Sequence, residues 1–294
     1  MAEYLKSPSG LLHWKDYGGE GPVIVAVHGL GGSIANWDAI APGLVDLGHV
    51  VALDLPGFGL SPPAKDWKLE TLAQAIVDFV ELTGPPVALI GNSLGGLLSE
   101  MVAAERPDLV SALVLISPAT PPRFPDPRRH WPTARRLTLQ AIPGVGKLLT
   151  KRIARSYSPD ELVWFTLEMV TGHPGRVPLE VVEELIALAR IRVRLPWATE
   201  AVPSTATEIA KHLYRPSRFV AMIRRIKAPT LVVHGLEDRI VSPTAVEWLC
   251  SLRLDWELVQ LEDTGHTPQL DAPVRTLGVI RPWLAQHLER EVRA

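Results

Sequence analysis

The sequence predicts an α/β fold: a mainly parallel central sheet with helices on both faces and an inserted helical cap. Three observations carry that prediction. Short apolar runs alternate with helix-length amphipathic stretches, the pattern of a parallel sheet built from βα units. The alternation breaks off after Ser117-Pro118 and resumes at Lys227-Ala228-Pro229-Thr230, and everything between is helical in character. One apolar run ends in a serine with glycine two residues away on each side, directly before a helix.

Strands are expected at residues 11–17, 23–27, 50–53, 87–90, 112–116, 230–233 and 257–261. Most are short apolar runs bounded by turn residues. Helices are expected at about 37–47, 69–83, 94–105, 243–252 and 273–288, the third of them stopped by Pro107. Inside the insertion, Ser158-Pro159-Asp160-Glu161 has the form of a helix start, with Ser as N-cap, Pro at the first position and Glu closing a capping box. Residues 178–194 carry Val181, Val182, Leu185, Ile186, Leu188 and Ala189 at helical spacing. Pro-rich stretches at 118–127 and 196–203 read as loops. Residues 1–120 and 227–294 therefore form the core, and 121–226 the cap. The apolar side chains of the cap, among them Trp131, Leu137, Leu139, Leu148, Trp164 and Phe165, are expected to pack it onto the core.

Bulk properties narrow the function. The chain has 294 residues, 47% of them hydrophobic, and a net charge of −2, which fits one α/β core with an insertion. The single cysteine, Cys250, excludes an intramolecular disulfide, and no Cys and His spacing suits zinc. Neither a secretory leader nor an apolar stretch of roughly 18 residues is present, so a cytoplasmic location is expected. Charge is uneven: residues 121–226 hold 18 Arg and Lys against 9 Asp and Glu. That surplus reads as a solvated, arginine-rich helical face, or else as attraction toward anionic substrates or a membrane surface; no nucleic-acid partner is expected.

The chemistry centres on Gly91-Asn92-Ser93-Leu94-Gly95. A serine on a strand-to-helix hairpin is a nucleophile elbow, in which the turn is too sharp to admit side chains at the flanking glycines. Ser93 needs a base, because a free hydroxyl is a poor nucleophile near neutral pH. His266, in Asp263-Thr264-Gly265-His266-Thr267-Pro268, follows the last strand, where α/β enzymes place functional groups. His28 leads Gly29-Leu30-Gly31-Gly32 and reads as structural; His130, His173 and His212 read as solvated or capping. Asp238, directly after the strand at 230–233, is the orienting acid, with Glu237 and Asp263 next in line; Asp54 reads as turn-forming. The order Ser93, Asp238, His266 is the order this elbow requires. Oxyanion donors are expected at the Leu94 amide, at a helix N-terminus, and at the Leu30 amide in the glycine loop.

With these landmarks in order, the chain resembles the α/β-hydrolase superfamily over nearly everything outside the cap. His28-Gly29 leading to Trp37, Asp54-Leu55-Pro56-Gly57-Phe58-Gly59, Gly91 to Gly96, Gly235 to Asp238 and Gly265-His266 carry the resemblance. It implies Ser93 as nucleophile, His266 as general base and acid, Asp238 as orienting acid, Leu30 and Leu94 as oxyanion donors, and no cofactor. A serine nucleophile sets the chain apart from dehalogenases and epoxide hydrolases of this scaffold, which use aspartate. A capped carboxylesterase or lipase acting on a hydrophobic acyl or alkyl ester is expected. Asn92 with Gly95-Gly96 is similar to the elbow of hydrolases that cleave carbon–carbon bonds in vinylogous diketones, but those carry an aromatic residue where this chain has Thr267. A non-catalytic ligand-binding protein on the same fold is the alternative of a different class.

Overall fold

In a computed structural model, which describes residues 2–292, the chain forms one eight-stranded sheet. The strands are β1 (Ala2–Ser7), β2 (Gly10–Gly18), β3 (Val23–Val27), β4 (His49–Leu53), β5 (Val87–Asn92), β6 (Val110–Ile116), β7 (Thr230–Gly235) and β8 (Glu257–Leu261). Their spatial order is β1-β2-β4-β3-β5-β6-β7-β8. β1 pairs with β2 and β2 with β4 antiparallel; every other pairing is parallel.

The helices explain why the inner strands are apolar on both sides. α1 (Leu69–Thr83) and α2 (Leu94–Glu105) follow β4 and β5. The segment between β6 and β7 holds α3 (Trp131–Ala141), α4 (Val145–Ser156), α5 (Pro159–Val170), α6 (Leu179–Arg192), α7 (Ala198–Leu213) and α8 (Pro216–Ile223). α9 (Pro243–Ser251), α10 (Pro268–Asp271) and α11 (Pro273–Val292) complete the chain. Val25, Val27 and Leu89 face a core shared with α1, α2 and α9, whereas Ile24, Ala26 and Ile90 face a second core with α11. A strand buried on both faces reads as a continuous hydrophobic run, which is what β3 and β5 are. α1 ends at Gly84, whose φ of +103° is the left-handed cap that glycine adopts freely.

Two expectations about the core elements change. The helix expected at 37–47 is instead two 3-10 turns, Ile34–Trp37 and Ala41–Leu44. Pro42 has no N–H to give an α-helical ladder and Gly43 disfavours it, yet Trp37, Ile40, Ala41 and Leu44 are buried. β1 went unread because its polar residues lack an alternating core face; the pairing with β2 makes it a strand.

Within the β6–β7 segment, Ala201 of α7 and Phe219, Met222 and Ile223 of α8 join the core of α1 and α2. Leu167, Val177, Val181 and Val182 form a separate cluster with Leu270 of α10. The expectation that the large apolar side chains of this segment pack inward is corrected. Leu148 is 69% exposed and Trp131 60% exposed, and Leu139 and Trp164 also lie open to solvent. Small residues make the close approach instead: Ala134 and Gly146 are buried, and a Cβ on Gly146 would meet the Gln140 carbonyl oxygen at 2.0 Å. Among the described residues, no helix is long and apolar enough to cross a membrane.

Candidate active site

The elbow takes its shape from backbone contacts that a side chain would destroy. A Cβ on Gly95 would lie 2.1 Å from the Val27 carbonyl oxygen of β3, and one on Gly91 would lie 2.5 Å from the Gly95 carbonyl oxygen. Both glycines are there for space, and neither needs a positive φ. Ser93 itself has φ 54° and ψ −113°, a sparsely populated conformation for a residue with a Cβ. Such strain, about 1–3 kcal/mol, persists only where the surroundings over-determine it. Here the Ser93 N–H donates to Ile116 O at 3.0 Å, and its carbonyl accepts from Leu97 N–H at 3.1 Å and Ala119 N–H at 3.0 Å.

Asp238 and His266 meet at the carboxyl edge of the sheet. Asp238 follows β7 and His266 follows β8, two neighbouring parallel strands. His266 Nδ1 lies 2.7 Å from Asp238 Oδ2, and both residues are buried. Asp238 Oδ1 accepts from Ile240 N–H at 2.7 Å and Val241 N–H at 2.9 Å, which fixes the carboxylate plane. Burial alone would raise the Asp238 pKa, but the charge and hydrogen bond of His266 and the Ile240 N–H outweigh it. The carboxyl is held below its ordinary value. The imidazole therefore donates through Nδ1, which leaves the Nε2 lone pair free to accept a proton.

The other acid candidates face elsewhere. Asp263 pairs with His173 and with Arg176, and Glu237 is exposed. His130 caps α3 through Thr133, and His173 precedes a short 3-10 turn.

The glycine loop lies against the elbow: a Cβ on Gly29 would sit 3.1 Å from Ser93 Cβ. His28 has the structural role its sequence context indicated. Its Nε2 accepts from Leu55 N–H at 3.0 Å, so the proton sits on Nδ1, which donates to Gly29 O at 2.7 Å. Burial lowers its pKa and keeps it neutral. Asp54 does more than form a turn. It accepts from Leu60 N–H within its own loop, from Ile34 N–H beyond the glycine loop, and contacts His13 Nδ1 at 2.6 Å. No protein acceptor takes the Leu30 or Leu94 N–H among the described residues, so both remain available to a ligand.

Asn92 and two residues that sequence reasoning left aside, Asp271 and His234, surround this geometry. Asn92 Nδ2 donates to Ile116 O at 3.0 Å and to His266 O at 3.2 Å, tying the elbow to the histidine loop. Asp271 Oδ2 accepts from Gly265 N–H and Gly172 N–H, both at 2.7 Å, and so joins that loop to the end of α5. His234 is fully buried with its Nδ1 3.8 Å from Asp238 Oδ2, and burial pushes its pKa down to about 4. The Asn92 and Asp271 contacts span 174 and 99 residues, and no local pattern announces them.

The family described as the alpha/beta hydrolase fold matches residues 22–273. Lipase LipV of Mycobacterium tuberculosis is 36% identical over 283 residues, covering 92% of this chain and 96% of its own. A pimeloyl-[acyl-carrier protein] methyl ester esterase of Nitrosospira multiformis is 29% identical over 268 residues, covering 89% and 94%. Among solved structures, a putative lipase from Acinetobacter baumannii superposes with a TM-score of 0.78 at 24% identity, covering 99% of this chain and 92% of its own. That last likeness speaks to the fold alone.

Proposed function

The chain belongs to the α/β-hydrolase family, and from that premise we propose that it hydrolyses carboxylic esters through Ser93, His266 and Asp238. The observation that carries the reading is the buried 2.7 Å contact between His266 Nδ1 and Asp238 Oδ2, with His266 tied to Asn92, the residue before a strained Ser93. Relatives named esterase and lipase along nearly the whole chain support the ester class.

In this mechanism His266 Nε2 takes the Ser93 hydroxyl proton as Oγ attacks the ester carbonyl carbon. Negative charge moves to the carbonyl oxygen, which the Leu30 and Leu94 N–H groups receive; the N-terminus of α2 adds its dipole. Asp238 stabilises the imidazolium, which gives its proton to the leaving alkoxide as the tetrahedral intermediate collapses to an acyl-enzyme. Water, deprotonated by His266, attacks the acyl carbonyl, and as the second intermediate collapses the imidazolium proton passes to Ser93 Oγ, which restores the serine and frees the acid. The Ser93 hydroxyl makes no protein hydrogen bond among the described residues; such bonds are commonly long in unliganded sites and tighten on substrate.

The Asn92 amide, donating to Ile116 O and His266 O, positions the elbow in either reading, so it does not choose between ester and carbon–carbon cleavage; the relatives named esterase and lipase favour the ester. Residues 121–226 act in this reading as a cap over the site, joined to the catalytic loop by Asp271 and by Thr267 N–H donating to Val170 O at 3.1 Å.

The test is a panel of p-nitrophenyl esters run beside a vinylogous diketone, with fluorophosphonate labelling of wild type and Ser93→Ala. Wild type should turn over short esters and take the label, and Ser93→Ala should do neither. Ester turnover by Ser93→Ala at the wild-type rate refutes the assignment. An unlabelled, inactive wild type indicates a ligand-binding protein instead.

A further inference from the structure

α3 and α4 present a face that the catalytic reading does not use. Together they carry Arg135, Arg136, Lys147, Lys151, Arg152 and Arg155 and no acidic residue. Lys147 pairs with Glu200, and Arg136 lies over the Phe165 ring at 4.2 Å. Arg135, Arg152 and Arg155 make no ion pair among the described residues and are exposed, and Lys151, also exposed, shares Glu200 with Lys147 only at longer range. An uncompensated basic face repels itself unless something anionic covers it.

Large apolar side chains stand exposed here as well, Trp131 and Leu148 on the two helices and Phe124 just before them. Phe124 is 59% exposed, Trp131 60% and Leu148 69%. Arg129 lies 4.9 Å from the Phe124 ring centroid and 5.2 Å from that of Trp131, so cation and aromatic surface are presented together. Between α3 and α4 runs an open groove of about 620 Å³, with Leu139, Leu149 and Ile153 along it and Arg135 and Arg136 at its side.

We propose that the α3–α4 face docks on an anionic lipid surface, its arginines and lysines on phosphate-bearing headgroups and Phe124, Trp131 and Leu148 in the acyl boundary. Lys and Arg interleaved with Trp, Phe and Leu on one exposed surface suit a membrane interface, where the cations reach headgroups and the apolar side chains enter the acyl boundary. Tryptophan settles at headgroup depth because its ring is apolar with one polar edge. An acidic protein would satisfy the cations, but it gives no reason for three large apolar side chains projecting into water. A bilayer satisfies both sets at once.

The proposal is independent of which ester is cleaved, and its readout is binding. Full-length protein is sedimented with vesicles of phosphatidylcholine alone or mixed in equal parts with phosphatidylglycerol. Wild type should bind the mixed vesicles at least tenfold more tightly, and the preference should shrink as salt is raised. Arg135→Gln/Lys151→Gln/Arg152→Gln should lose at least tenfold on mixed vesicles. Trp131→Gln/Leu148→Gln should also lose binding, which attraction of charges alone would not produce. Both sets should hydrolyse a soluble short-chain ester as wild type does, which reports an intact fold; if either set fails to fold, the salt and lipid dependence of wild type still decides. Equal binding to the two vesicle types, no vesicle binding, or preference for a small acidic protein over vesicles overturns the proposal.

Discussion

Replacing Asp238 by Asn tests the catalytic reading most sharply, because its neighbours dictate how the amide must sit. Asp238 Oδ1 accepts two backbone N–H groups, from Ile240 at 2.7 Å and Val241 at 2.9 Å. An NH₂ group cannot face two donors, so the Asn carbonyl takes that position and its NH₂ takes the place of Oδ2, 2.7 Å from His266 Nδ1. Nδ1 must then accept, and the imidazole proton moves to Nε2. A histidine protonated at Nε2 cannot take the Ser93 proton. The side chain keeps its volume and its three contacts, so the fold should hold while the base is lost. The wrong tautomer lowers kcat by roughly 10³–10⁴ in a triad of this kind, about 4–5.5 kcal/mol of transition-state stabilisation. The assay is steady-state hydrolysis of p-nitrophenyl butyrate by wild type and Asp238→Asn, with thermal melts as the fold control. Asp263→Asn and Glu237→Gln, whose side chains face away from His266, serve as comparisons and should stay within about threefold of wild type. A kcat for Asp238→Asn within tenfold of wild type would refute the reasoning.

Two further outcomes follow from the same geometry. Gly95→Ala places a methyl 2.1 Å from the Val27 carbonyl oxygen, far inside the ~3.5 Å contact distance, so β3 and α2 must separate. Loss of more than ~3 kcal/mol in a denaturant titration is expected, and a near-wild-type midpoint would contradict the packing. His234 has its pKa lowered to about 4, against an ordinary value of 6.5, so the folded protein binds fewer protons there than the unfolded chain. Its stability contribution is complete above pH 6.5 and falls as pH drops toward 4, by about 3 kcal/mol in all. His234→Phe should flatten that acid limb in urea midpoints measured from pH 7 to 4; an unchanged slope would assign it to Asp238 and other carboxylates.

Much of this molecule is local in its sequence. The alternation of apolar runs and helical stretches marks the sheet because βα units bury both strand faces. α1 and α2 begin and end where their spacing, Gly84 and Pro107 indicate. Gly91 and Gly95 announce a hairpin that tolerates no side chain, and the order of Ser93, Asp238 and His266 follows from each ending a strand of one parallel sheet. Only the tertiary structure decided the rest, because those features arise between segments far apart in the chain. The 2.7 Å approach of Asp238 to His266 depends on β7 and β8 being neighbours, and Asn92 reaches His266 across 174 residues. Helical spacing gave each amphipathic face of the β6–β7 segment without giving its partner. Ala134 and Gly146 are buried, Gly146 against Gln140 and Pro203, whereas Trp131 and Leu148 face water. Periodicity determines that a face exists; what covers it is set by the packing of all the others.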